Sequence, residues 1–138
     1  YNLIISNMSV HWSKNFMRLM KKILLSINKN SIVLISFPNS GSFRNLKKDH
    51  KKFTNYLPNI NLLRDYLGSS KYYFSAKEMI HEEYFKNILV FFRSLKNIGA
   101  NVSNNFFNPI DLYSLRRNKE KIKVDFDISY LFIRKIKD

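Results

Sequence analysis

Asp125 and Asp127, with Glu120 just upstream, are the side chains of this sequence whose type suits metal-assisted chemistry. Paired acids of this kind hold the cation in some metal-dependent nucleases. Their spacing has a simpler source, because an extended strand places every second residue on one face. Lys121 and Lys123 precede them on the same face and neutralise it. The pattern therefore favours a solvated strand face over a metal site. His11, His50 and His81 are scattered and show no metal-ligand spacing. Glu82 and Glu83, beside His81, read as favourable charges near a helix N-terminus. The chain has no cysteine, which excludes disulfides, thiolate metal sites and a cysteine nucleophile. It also lacks a glycine-rich phosphate loop of the P-loop or dinucleotide type. A non-enzyme is expected, with no cofactor and no small-molecule substrate.

The residues that remain are cations. Twenty-four Lys and Arg face ten Asp and Glu, a formal net charge of +14 in 138 residues, and Asp49 is the first acid. Solubility of a small domain needs a net charge of only about 2–8. A surplus of this size raises the free energy of the compact chain by self-repulsion unless a polyanion neutralises it. Two runs concentrate the charge. Lys47, Lys48, Lys51 and Lys52 form one, opposed only by Asp49, and Arg116, Arg117, Lys119, Lys121 and Lys123 form the other. Both are fitted to lie along nucleic-acid phosphates and release condensed counterions. Arg116 and Arg117 should outweigh any single lysine, because guanidinium bridges phosphate oxygens bidentately.

The elements that must position these cations follow from periodicity. Trp12, Phe16, Leu19, Met20, Ile23 and Ile27 recur at three and four and predict an amphipathic helix over residues 8–27. Such a helix suits either a protein core or a membrane surface. Residues 32–37 read as a short buried strand ending in a Pro-Asn-Ser-Gly-Ser loop. Residues 60–67 read as a helix closed by Gly68, and Ser69-Ser70 mark a boundary between a basic extension, 1–70, and a second module, 71–138. Ser75-Ala76-Lys77-Glu78 matches a capping box, with Ile80, Tyr84, Ile88, Phe91 and Leu95 at helical spacing behind it and Gly99 at the end. Residues 102–107 are a candidate strand, with Pro109 in the turn after it. Ile122, Val124, Phe126, Ile128, Tyr130 and Phe132 alternate with Lys121, Lys123, Asp125, Asp127 and Ser129, predicting a long strand with the apolar set buried and the polar set in solvent. That reading assigns Phe126, Tyr130 and Phe132 to a core. It leaves Tyr72, Tyr73, Phe106 and Phe107 open between packing and stacking on bases. No apolar run approaches the roughly 18 residues that a membrane-spanning helix needs.

From Lys71 onward the order of elements resembles the small-subunit ribosomal protein ten (S-ten) family, in a divergent mitochondrial form. The stretch KYYFSAKEMIHEEYFKNILVFFRSLKNIGANV, residues 71–102, follows that family's strand, histidine-bearing turn and helix ending in Gly-Ala-x-Val. Leu115-Arg116-Arg117, then Lys119, Lys121 and Lys123, then Phe126-Asp127-Ile128 follow its Leu-Arg motif, basic residues and Phe-acid-Ile strand. The family's proline-rich segment is represented only by residues 105–109, and its Ser-Pro-His is absent. The resemblance starts the helix after His81, later than the capping box does, so two helix starts compete. It implies an α+β fold, a partial ferredoxin-like β-α-β-β module lacking the last helix and strand, and it adds His81 to the RNA-contacting residues. An incomplete sheet of this kind leaves a face and an edge uncovered. The missing layer is expected from residues 32–37 or from a neighbouring protein.

The function this predicts is a structural, RNA-binding constituent of the head of the mitochondrial small ribosomal subunit, with ribosomal RNA and neighbouring subunit proteins as partners. Abundant Asn, Lys, Ile, Phe and Tyr beside scarce Ala and Gly match AT-rich codons and an organellar setting, the mitochondrial matrix. The acid-free, basic beginning at Tyr1 reads as a targeting segment or as part of a protein made inside the organelle. Two other classes stay open: a membrane-associated or respiratory-complex accessory subunit using the first helix, and a metal-dependent nuclease using Asp125.

Overall fold

The computed structural model of the chain describes residues 1–51, 54–68, 71–98, 113 and 115–137. Its strands are β1 (Leu3–Asn7), β2 (Ile32–Pro38), β3 (Tyr72–Phe85) and β4 (Ile122–Lys135); its helices are α1 (Phe16–Ser26), α2 (Lys48–Lys51), α3 (Ile60–Leu67) and α4 (Ile88–Asn97). The fold is α+β, with a mixed four-stranded sheet in the order β1-β2-β4-β3. β1 runs parallel to β2, Leu3 opposite Ile32 and Asn7 opposite Ser36, so α1 is the crossover that a parallel pair requires. β2 runs antiparallel to β4, Val33 opposite Ile133 and Ile35 opposite Leu131. The strand of residues 32–37 thus pairs with β4.

Asparagine starts each longer helix. Asn15 accepts from the Arg18 amide at 2.9 Å, Asn59 from Asn61 at 2.9 Å, and Asn87 from Val90 at 3.1 Å. Each satisfies one of the orphan N–H groups of a first turn. At the other end of α3 the Gly68 amide donates to the Arg64 carbonyl at 3.0 Å, the closure the sequence predicts.

Three local expectations change. The helix predicted over residues 8–27 is shorter: β1 and a 3₁₀ turn at Val10–Trp12 precede it, and Asn15 caps it only from Phe16. The capping box at Ser75 does not start a helix. Ser75 and Glu78 lie within β3, where the Glu78 carboxylate accepts from the Arg64 guanidinium of α3 at 2.6 Å. His81 therefore sits in a strand, not in a turn, and the helix begins at Ile88. Gly99, Pro109, the boundary at Ser69-Ser70 and the strand expected at 102–107, with Phe106 and Phe107, lie outside the described residues.

Contacts group the chain into two compact units that are interleaved in sequence. The first comprises Tyr1–Ser42, Leu57–Ile80 and Asp127–Asp138; the second comprises Phe43–Tyr56 and His81–Phe126. Residues from both sides of position 70 therefore build the first unit. Its core joins Phe16, Met20 and Leu24 of α1 and Ile60, Leu63 and Leu67 of α3 to Val33, Ile35, Phe37, Leu131 and Ile133 of the sheet. Tyr72, Phe74 and Ala76 of β3 pack against the same cluster. The apolar stripe of α1 is thus buried in protein. In the second unit Phe91 is fully buried, and its ring lies 5.3–6.4 Å from those of Phe43, Phe85 and Phe126.

His11, in the 3₁₀ turn, gives the first unit a pH dependence. Its ring lies 4.6 Å from that of Trp12, and its Nδ1 is buried without a hydrogen-bond partner. Burial lowers the imidazole pKa below its ordinary value of 6.5. The unfolded chain then takes up this proton near pH 6.5, while the folded chain takes it up only at lower pH, so stability rises with pH across the window between the two and is level outside it. The melting temperature is expected to fall more between about pH 7 and pH 5.5 in the wild type than in His11→Gln. Equal slopes in the two proteins would remove the burial of His11 as their cause.

Candidate nucleic-acid interface

The second unit contains the residues that the sequence assigned to RNA, and buried apolar residues orient the basic runs. Leu46 and Phe43 are buried, which turns Lys47, Lys48 and Lys51 to the surface around the single turn of α2. Residues 115–117 are helical; Leu115 is buried, and Arg116 and Arg117 are exposed beside it. The Arg117 guanidinium lies 5.4 Å from the centre of the exposed Tyr113 ring, which holds the planar cation by cation–π attraction without covering it. Lys119 and Lys121 follow, also exposed. Lys47 Nζ lies 3.5 Å from Glu120 Oε2, so the two basic runs, some seventy positions apart in sequence, meet at the surface. An exposed pair of this kind adds little stability. Its value is as a marker of proximity.

Other predicted members are placed differently. Lys123 donates to Glu82 Oε1 at 2.7 Å. That hydrogen bond, helped by the nearby Asp125 carboxylate, holds the ammonium above the usual lysine range. Its charge is therefore already partly answered within the protein. His81 lies exposed on β3 beside Glu82. Lys52 lies outside the described residues.

The acids of β4 are not on a solvated face, and this corrects the sequence expectation. In the second unit, the Asp125 carbonyl accepts from the Phe43 amide at 2.7 Å. Its Oδ1 is buried without a hydrogen-bond partner, 4.0 Å from Lys123 Nζ. In the first unit, Asp127 is only 8% exposed and meets the loop after β2. Asn39 Nδ2 donates to Asp127 Oδ1 at 3.2 Å and to Ser129 Oγ at 2.8 Å. Ser42 Oγ accepts from the Asp127 amide at 2.9 Å and donates to its carbonyl at 3.1 Å. The Gly41 amide donates to Asn39 Oδ1 at 2.7 Å, fixing the amide that does the holding. A polar strand face can be buried once its groups have partners, and this loop supplies them. Among the described residues no three or more His, Asp or Glu side chains cluster as a metal site.

The burial reverses the sides of β4 in the first unit. Ser129, Leu131 and Ile133 face the helices there, and Tyr130 and Phe132 face away. Tyr130 and Phe132 are therefore not in the core formed with α1 and α3. They share a shallow open groove of about 440 Å³ with Ile5, Leu34, Ser75 and Lys77. The sequence carried one signal for this: Leu131 and Ile133 are apolar on the parity that carries Asp125 and Asp127, so both faces of the strand's end are apolar.

No protein-family model matches the chain, and no curated protein matches it.

Proposed function

We propose that the chain is a non-catalytic, RNA-binding structural subunit of the mitochondrial small ribosomal subunit, in its head region, held against ribosomal RNA and adjacent proteins. The observation that carries this reading is the meeting of two basic runs in the second unit through Lys47 and Glu120. A broad cationic surface built from separate segments suits the phosphate backbone of a folded RNA, which attracts without regard to sequence. Residues 71–135 supply β3, α4 and β4, which we read as elements of the ferredoxin-like β-α-β-β module that the resemblance implies, with β2 as an added strand. The mitochondrial setting rests on the residue composition and on that resemblance. Burial of α1's Phe16, Met20 and Leu24 in the first unit's core weighs against a lipid-bound role for that helix, since its apolar side is already occupied. No helix among the described residues is long and apolar enough to cross a membrane.

The test is the double variant Arg116→Ala/Arg117→Ala. Both side chains are exposed, so the fold should survive. Affinity for small-subunit ribosomal RNA is expected to fall, and the slope of log K against log salt to flatten by about 1–2, close to one per lost phosphate contact. Incorporation into small subunits should fall with it. Wild-type salt dependence and incorporation in the double variant would refute the assignment.

A further inference from the structure

We infer that the open face of the first unit's sheet is a stacking platform for unpaired RNA bases, separate from the backbone-binding cations of the second unit. The inference rests on the RNA-binding reading above and extends it to a second site.

Strand register orders this face into rows. Ile5, Leu34 and Phe132 lie side by side on β1, β2 and β4. The Tyr73 ring on β3 continues the row, 6.0 Å from that of Phe132 and edge-on to it. The next row is Asn7, Ser36 and Tyr130, with the Ser36 hydroxyl bonded to the Asn7 side chain. Tyr73, on the edge strand β3, is 55% exposed, and Tyr130, on the inner strand β4, is 40% exposed, so both rings are open to solvent. Ring faces offered this way bind any base, because every base has a π-face. A four-stranded sheet bearing two or three such rings holds two or three splayed bases.

The charges on the face select the occupant. Alternation along β3 and β4 puts Lys77 and Arg134 on it, and its described positions hold no carboxylate. Arg134 lies opposite Ile32 and is steadied by Asn30 Oδ1 at 3.2 Å. Lys77 lines the groove with Tyr130, and Arg134 lies two residues beyond Phe132 on β4, so the face carries one cation beside the groove and another past the Phe132 ring. A strand of RNA satisfies both features at once, with bases on the rings and phosphates on the cations. A second copy of this chain would bring the same cations against themselves. An uncharged apolar partner would leave both cations without a counter-charge.

The test uses the full chain and a single-stranded RNA of about ten nucleotides carrying 2-aminopurine, whose fluorescence is quenched by stacking. Tyr73→Ala and Tyr130→Ala are each expected to weaken binding about tenfold and to reduce the quench, with the salt slope unchanged. Tyr130→Phe should retain both. Tyr73→Leu and Tyr130→Leu keep apolar volume without a ring, so they should fold, as circular dichroism checks, and still lose the quench. Arg116→Ala/Arg117→Ala should do the opposite: flatten the salt slope and preserve the quench. Wild-type affinity and quench in the leucine variants would overturn the platform while leaving the backbone interface standing. A dimer that Tyr130→Leu disrupts would overturn it in favour of self-association. Failure of the wild type to bind any RNA would overturn the functional reading itself.

Discussion

Phe91→Ala is expected to cost about 3–5 kcal/mol of stability, the usual range for emptying a buried phenylalanine site. Phe91 is fully buried in the second unit. Its ring meets those of Phe43 at 5.7 Å, Phe85 at 5.3 Å, Phe92 at 5.2 Å and Phe126 at 6.4 Å. Each tilted or edge-on pair adds to the area term by about 0.5–1.5 kcal/mol, and four surrounding rings cannot all collapse into the space one ring leaves. Phe91→Leu should cost much less, because it keeps most of the apolar volume. The readout is the urea midpoint at constant slope. A loss under about 1 kcal/mol in the alanine variant would mean that Phe91 is not the centre of this cluster. The consequence reaches the RNA surface. Leu46 and Leu115, buried next to Lys47 and Arg116, orient the basic runs only while this unit stays packed, so RNA affinity should fall together with stability.

Asn39→Ala should cost about 2–4 kcal/mol, the second largest effect. A hydrogen bond to a charged group contributes about 1.5–3 kcal/mol, and a buried group left short of partners adds its desolvation penalty. Asn39 is 3% exposed and donates to both Asp127 and Ser129, the latter with no exposure at all. Alanine removes both donations and the acceptor of the Gly41 amide. Gly41→Ala tests the same loop from the steric side. A Cβ there would stand 2.2 Å from Asp127 Oδ2 and 2.9 Å from Asn39 Oδ1, so the loop or the carboxylate must move. Both variants should lower the urea midpoint, and a double variant Asn39→Ala/Asp127→Ala should lose less than the two single losses added together, because the carboxylate that needed the amide is gone. Strict additivity would contradict the coupling.

Local pattern carried β2, α3 and β4, where several consecutive residues agree on a period and a turn or cap residue closes the element. It failed where a distant residue decided. Ser75-Ala76-Lys77-Glu78 has the letters of a capping box, yet those residues pair as a strand and Glu78 answers Arg64 of α3; strand pairing and a tertiary ion pair outweighed a local cap. β1 went unseen because five residues at a sheet edge, parallel to their partner, leave no hairpin or long alternation to read. The basic residues were legible as a composition but not as a surface, since the meeting of Lys47 with Glu120 depends on the folding of the second unit.

The amino-acid order alone determined that β4 alternates, that the chain carries a large cationic surplus, and which side chains supply it. Which side of β4 faces inward in the first unit was decided only by tertiary structure. A period of two defines two faces without ranking them. The pairing of Ile133 with Val33 and Leu131 with Ile35 buries one face, and the Asn39 loop makes that burial possible by satisfying Asp127 and Ser129. Tyr130 and Phe132 are left on the open side for the same reason.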